Sequence, residues 1–385
     1  MQDWKRHFVK YAAVIEEKWD DLRFDFKRKL RLNDPIQIVP YRTYGTASRI
    51  YIKGRVLEDK KIAAPQDKDT ILNNLLNMYK RFESDEVPGA KLNILLNNEK
   101  HEVTTGKEGY FVLDFHPLNK IENKELWHPI PLQLVHAPIP FEAGMQTFAE
   151  VMIPPIDAEY GIISDIDDTI VETKATSLLA MSRTTFLNNA KTRLPFAGVA
   201  EFYKALQLGR NGKRNNPFFY VSSSPWNLYD LLKDFLDLNN IPAGPLLLRD
   251  FGLDAESDSK DHMGHKLKEI RQILQAYPEL QFVLIGDSGQ EDPVIYREVV
   301  KEFPGRVLAI YIRDVKLPAR KKVAIDVSAS LIPVKIEMII VENTVEAAEH
   351  AAQNKLIFSE ALPAIEQEKM EDKGEQPGKE DLSIL

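Results

Sequence analysis

Cysteine is absent from the 385 residues, which excludes disulfides and thiolate metal sites. Long apolar runs are missing as well. No stretch of about 18 apolar residues occurs, so nothing reads as a membrane-spanning helix. The opening Met1-Gln-Asp-Trp-Lys-Arg6 lacks the apolar core of a signal peptide, and the cytoplasm is the expected location. Positive charge is not in excess: 50 Lys and Arg against 58 Asp and Glu leave −8, which argues against broad nucleic-acid binding. A hydrophobic content of 44% is ordinary for a globular chain, and the length favours two domains plus tails over one core.

Against this plain background, Tyr160 to Val171 stands out: a short apolar run ending in Asp165, Asp167 and Asp168, followed by Thr169. Such a strand delivers its last side chains to the C-terminal edge of a parallel sheet, where open α/β folds place ligands. Three aspartates within four residues repel one another unless a cation or a proton sits among them. Three later segments repeat the logic. Pro217 to Val221 is apolar and ends in Ser222, Ser223 and Ser224, with an amphipathic stretch from Trp226 to Leu238 behind it. Gly264-His265-Lys266 opens a helical pattern with Leu267, Ile270, Ile273 and Leu274 on one face. Leu280 to Gly286 is a third strand, ending in Asp287-Ser288-Gly289 and Asp292-Pro293. Strands alternating with helices predict a doubly wound parallel sheet.

In their order, Asp165/Asp167/Thr169, Ser222, Lys266 and Asp287/Asp292 match the four motifs of the haloacid dehalogenase (HAD) superfamily of aspartate-nucleophile phosphohydrolases. Within it, Ser222 to Trp226, His265-Lys266, Gly286 to Gly289, Pro293-x-x-Tyr296 and Ile310 to Asp314 resemble the actin-patch-protein-type phosphatidate phosphatases. The resemblance covers residues 157 to 320. It implies an aspartyl-phosphate mechanism, with Asp165 as nucleophile and Asp167 as acid and then base. It also implies Mg2+ held by Asp165, Asp167 through its carbonyl, and Asp287, with Asp292 as a further metal-side carboxylate. Ser222 and Lys266 would grip the phosphoryl oxygens. The implied activity is phosphomonoester hydrolysis of a phospholipid such as phosphatidate. The alternatives are a phosphatase of a soluble or protein-bound phosphate, and a non-catalytic phospho-ligand binding or scaffold protein.

Some residues have plainer roles on sequence grounds. Ser224 before Pro225 reads as an N-cap rather than a phosphate ligand, and Asp292 before Pro293 as a cap or a residue facing the metal. His265 reads as structural or solvent-exposed.

The expected organisation has four parts: an amphipathic helix over 1–32, a small β-sandwich over 33–156, a HAD-like catalytic domain over 157–358, and an acidic disordered tail over 359–385. The first part carries nine Lys/Arg against six Asp/Glu, with Phe8, Ala12, Ile15, Trp19 and Leu22 near one face; core or oligomer packing is favoured over a membrane surface. Ser48 to Val56, Lys91 to Leu96, Glu102 to Thr105 and Gly109 to Phe115 read as its neighbour's strands. Further on, Val334 to Val341 reads as a strand and Asn343 to Asn354 as a capped helix. Ser222 follows Thr169 by 53 positions and Lys266 follows Ser222 by 44, too few for a large cap domain. That leaves an open site, suited to a phosphate fixed at a surface. Trp226 and an apolar flap from Leu178 to Phe186, within 172–193, are the candidates for lipid contact and peripheral membrane association.

Overall fold

The structure, a computed structural model, describes residues 35–58, 86–122, 124–167, 169–170, 196–249 and 262–373. The expected helix over 1–32, the flap over 172–193, Asp168 and the last residues of the tail lie outside them. Two sheets make up the architecture.

The first contains β1 (Ile36–Pro40), β2 (Thr43–Thr46), β3 (Arg49–Glu58), β4 (Lys91–Leu96), β5 (Glu99–Thr104), β6 (Tyr110–Phe115), β7 (Trp127–His136) and β8 (Gln146–Met152). Its order is β1-β3-β2-β8-β7-β4-β5, with β6 on β3. The pairs are antiparallel except β2 with β8. Alternation with period two turns Ile50, Ile52, Leu92, Ile94, Leu132 and Val151 into one core. Asn97 and Asn98, both at positive φ (46° and 67°), form the two-residue turn from β4 to β5, a conformation asparagine tolerates. β7 does not read as a strand in the sequence because it contains Pro129 and Pro131. Both precede Leu132, the first residue of β7 that pairs with β4, so the donors they lack are not needed on that side.

The second sheet is wholly parallel: β9 (Gly161–Ser164), β10 (Phe218–Pro225), β11 (Leu246–Arg249), β12 (Phe282–Asp287), β13 (Val307–Arg313) and β14 (Met338–Val341), in the order β11-β10-β9-β12-β13-β14. Helices α1 (Val199–Leu208), α2 (Tyr229–Leu238), α3 (His262–Ala276), α4 (Asp292–Glu302), α5 (Pro318–Leu331), α6 (Thr344–Gln353) and α7 (Leu362–Asp372) accompany it. Residues of α1, α2, α6 and α7 share one apolar cluster, and those of α3, α4 and α5 share another. Burial on both faces explains why these strands are continuous apolar runs. The strand order reverses between β9 and β12, which opens a crevice at their C-terminal ends. The fold is therefore mixed α/β, with a parallel sheet and a separate, mainly antiparallel one.

Two sequence expectations change. β14 begins at Met338, not Val334, because Ile332 to Val334 form a 3-10 turn closed by Lys335 at φ 58°. Residues 362–372, expected to be disordered, form α7: Ile365 is fully buried, and Asp372 and Glu368 accept from the N–H groups of Gly198 and Glu201 at 2.9 and 2.8 Å. Two carboxylates thus satisfy open donors at the start of α1, where the helix dipole also favours them. The capped helix at Asn343 forms as its sequence suggests. Asn343 accepts from Val345 N–H at 3.1 Å, and Glu346 accepts from Glu342 N–H at 2.8 Å.

The sheets dock through an aromatic stack. Tyr41 lies 5.2 Å from Trp226 at 15° and 4.1 Å from Tyr229, and Lys53 Nζ sits 3.7 Å from the Trp226 ring centroid. Arg42 donates to both Asp237 oxygens, at 2.7 and 3.2 Å. Trp226, a candidate for lipid contact on sequence grounds, is partly buried and packs against this stack. Tyr41→Ala is expected to cost roughly 3–5 kcal/mol, as truncation of a buried ring does, in urea unfolding followed by Trp fluorescence. A loss below about 1 kcal/mol would mean that the stack does not hold the sheets together.

Candidate active site

Three strand ends and the first turn of α3 converge on the crevice between β9 and β12. β9 ends at Ser164, but the N–H of Asp165 still donates to Ile285 O at 2.9 Å, which fixes the carboxylate between the two strands. Ser164 Oγ donates to the carbonyl of Asp165 at 2.7 Å and meets Tyr203 Oη at 2.8 Å. β12 ends in Asp287, whose Oδ1 accepts from the N–H groups of Gly289 (2.6 Å) and Gln290 (3.0 Å). Asp292 opens α4, accepting from Asp287 N–H with Oδ2 at 3.1 Å. Gly286 is required there, since a Cβ on it would stand 2.5 Å from Asp292 Oδ2 and 2.8 Å from Asp292 Cβ.

Lys266 enters from α3. Its Nζ donates to Asp292 Oδ1 at 2.7 Å and lies 3.0 Å from Asp165 Oδ1. Gln290 bridges the group, accepting from Lys266 at 3.3 Å and reaching Asp165 Oδ2 at 3.5 Å. One oxygen each from Asp165, Asp287 and Asp292 falls within 4.8 Å of the others. All three acids and Lys266 are buried.

Asp167 stands beside this cluster in the hands of β10. Its Oδ2 accepts from Ser222 Oγ at 3.1 Å and from Ser224 Oγ at 3.2 Å, while Ser224 N–H donates to Ser222 Oγ at 3.0 Å. Ser224 is therefore not an N-cap. The turn beginning at Trp226 has Pro225 at its cap position, and β10 runs on through all three serines. The structure brings together Asp165, Lys266, Asp287 and Asp292, with Asp167 and Ser222 adjoining. Sequence reasoning missed Ser224 and Gln290. Gln290 had a signal of sorts, as a polar residue inside the Gly286 to Asp292 loop. Asp292 does not cap its helix by side chain; it faces the carboxylate cluster.

Electrostatics follow from burial. Desolvation pushes the Asp165 carboxyl well above the usual carboxylate range, and Asp292, Asp287 and Asp167 push it further, with Lys266 opposing. Burial alone would lower the Lys266 ammonium, but Asp165, Asp292 and Asp287 outweigh it and hold it charged. Burial depresses His265 to about 4, so its ring is neutral at ordinary pH against the backbone of Ser222 and Leu247. Among the described residues, three buried carboxylates face one ammonium. The donor set, all hard oxygens, suits a hard divalent cation.

The chain's likeness to known proteins falls on this region. Residues 160–314 match the catalytic-domain family of phosphatidate phosphatase APP1. That interval holds all seven residues matched to the motifs, and it bears out the resemblance to actin-patch-type phosphatidate phosphatases. Phosphatidate phosphatase APP1 of Saccharomyces cerevisiae is 34% identical over 178 residues, 45% of this chain and 29% of the yeast protein. An uncharacterised protein of Schizosaccharomyces pombe is 30% identical over 220 residues, 55% of this chain and 34% of that protein. The chain thus spans about a third of the length of the curated relatives it matches. Among solved structures, a carbohydrate acetylesterase from Xanthomonas citri aligns over 78% of this chain and 66% of its own, at TM-score 0.27 and 9% identity, too slight a likeness to bear on the fold.

The charge imbalance has a measurable consequence in metal-free protein. A carboxyl raised on folding, as Asp165 is, contributes stability below its unfolded value of 3.8, and loses it as pH rises through the folded value. Thermal melts in EDTA are therefore expected to fall from mildly acidic to neutral pH. Asp165→Asn, of the same shape without the charge, is expected to flatten that fall and to gain roughly 0.5–2 kcal/mol at neutral pH. An Asp165→Asn protein less stable than wild type in EDTA at neutral pH would contradict the charge imbalance.

Proposed function

We propose that the chain is a Mg2+-dependent phosphomonoester phosphatase of the HAD type, acting on phosphatidate or a closely similar phospholipid. The observation that carries this reading is the pairing at the end of β9: a buried Asp165 against Lys266, and, two residues on, an Asp167 held by two hydroxyls. The parallel sheet would be the doubly wound HAD core, the first sheet a small β-sandwich, and the boundaries those expected from the sequence, with α7 added to the catalytic part. A cytoplasmic enzyme that meets its substrate at a membrane surface suits this reading.

Asp165, Asp287 and the main-chain carbonyl of Asp167 would hold Mg2+, with Asp292 beside them. Bound there, the ion screens the phosphoryl oxygens that otherwise repel a nucleophile. Lys266 opposes the burial that favours the protonated form of Asp165 and supplies a second positive charge to the same oxygens. The Asp165 carboxylate then attacks phosphorus as the ester P–O bond breaks, giving an aspartyl phosphate. Asp167 gives its proton to the departing alkoxide. It later takes one from the water that cleaves the aspartyl phosphate, releasing inorganic phosphate and restoring Asp165. Ser222 and Ser224 fix where Asp167 points, so Ser222 serves the acid as well as the phosphate. The scaffold alternative makes no use of two adjacent carboxylates in these different settings.

Purified protein is expected to release phosphate from phosphatidate in mixed micelles, dependent on Mg2+. Asp165→Asn should abolish release while the protein stays folded, and Asp167→Asn should lower it by about two to four orders of magnitude. Turnover of soluble esters with no activity on phosphatidate at any surface dilution would favour a soluble or protein-bound substrate. Full activity in a folded Asp165→Asn protein would refute the mechanism.

A further inference from the structure

The end of β10 does more than continue the sheet. It pairs with β11 in regular register through Val221, and the register resumes at Pro225 opposite Arg249, so four steps along β10 match two along β11. A bulge of this kind re-aims side chains beside a site. Here both Ser222 and Ser224, 0% and 4% exposed, are turned onto one oxygen, Asp167 Oδ2, at 3.1 and 3.2 Å. The N–H of Ser224 also donates to Ser222 Oγ at 3.0 Å.

A serine hydroxyl has one proton to donate. In this structure Ser222 gives it to Asp167. Under the phosphatase reading, on which this inference rests, the same proton must meet a phosphoryl oxygen. Ser222 cannot serve both at once. We propose that Ser222 releases Asp167 when the phosphoryl group arrives, and that Ser224 is the positioning residue that then keeps Asp167 aimed at the leaving-group oxygen.

The local hydrogen bonds suit such an exchange. Ser224 N–H holds the oxygen of Ser222, so turning about the Cβ–Oγ bond redirects the proton while the oxygen stays in place. The bond from Ser224 Oγ to Asp167 does not pass through Ser222. Beyond Ser224 the chain is fixed as well: Pro225 pairs with Arg249, and Trp226 stacks on Tyr41 at 5.2 Å. Ser224 is thus anchored on its C-terminal side while Ser222 changes partner.

The aim of a proton donor matters in proportion to the basicity of the group that leaves. The alkoxide departing from phosphatidate is a strong base and needs its proton in the transition state. A dinitrophenolate is a weak base and leaves unaided. Loss of Ser224 should therefore be felt with one ester and not with the other, a contrast that a general loosening of the fold would not produce.

The test uses the full chain with Mg2+ and enzyme in excess. It reads the first-turnover release of diacylglycerol from phosphatidate, and of dinitrophenolate from 2,4-dinitrophenyl phosphate, in the same detergent micelles. Ser224→Ala is expected to slow diacylglycerol release about 10- to 100-fold, the worth of one hydrogen bond to a charged group, with little change in the steady-state KM. Dinitrophenolate release is expected to change by less than about threefold, and Ser224→Thr to restore the phosphatidate rate. Ser222→Ala, which also removes a phosphoryl contact, is expected to slow release from both esters. Equal losses on the two esters in Ser224→Ala, a loss confined to KM, or an unimpaired Ser224→Ala protein would overturn the inference. A wild-type chain that turns over neither ester would strike the phosphatase reading itself, whereas an active wild type with a Ser224→Ala variant blind to the leaving group would strike only the role of Ser224.

Discussion

Among the described residues, one ammonium group, on Lys266, stands among the buried carboxylates of Asp165, Asp287 and Asp292 with no solvent to screen them. In a medium of low dielectric each uncompensated charge is costly, by several kcal/mol per ion after relaxation. Much of the parallel sheet's architecture serves to hold these four side chains together. β9 and β12 must be neighbours for Asp165 and Asp287 to meet. Position 286 must lack a side chain for Asp292 to close in. The first turn of α3 must reach over the strand ends for Lys266 to arrive. In the proposed function, a divalent cation would complete this cluster of acids.

The division of labour between two aspartates on one loop follows from their surroundings. Asp165 is sealed against Lys266 and the other acids, so its charge depends on its neighbours. Asp167 is only half-buried and is held by two serine hydroxyls from β10. In the proposed mechanism the first carboxylate would attack and the second would exchange protons with solvent and leaving group. The first sheet has a share in that placement. Tyr41 and Lys53 both contact the Trp226 ring, and Trp226 directly follows the strand that carries Ser222 and Ser224.

The sequence made the centre of the molecule legible and the edges less so. β9, β10 and β12 could be read because each is an apolar run that stops at a cluster of polar residues, the pattern of a strand buried on both faces. Helix α6 could be read from Asn343 and Glu346, whose capping contacts are local. What escaped notice depends on distant partners. α7 is polar in composition, and its helix is anchored by Ile365 and by two carboxylates that cap α1, 167 and 174 positions away. β7 hides behind two prolines that matter only where a neighbouring strand is present. Ser224 looked like a cap because Pro225 follows it, and only the placement of Asp167 across the crevice gives its hydroxyl another task.

The central claim is that Asp165 is the group that takes the phosphoryl. Its most direct test is to quench the protein during turnover of labelled phosphatidate with Mg2+ and map the label on the chain. A hydroxylamine-sensitive acyl phosphate on the peptide containing Asp165, missing in Asp165→Asn, is the result this account predicts. Rapid phosphate release with no label on the chain, or label on any other residue, would contradict it.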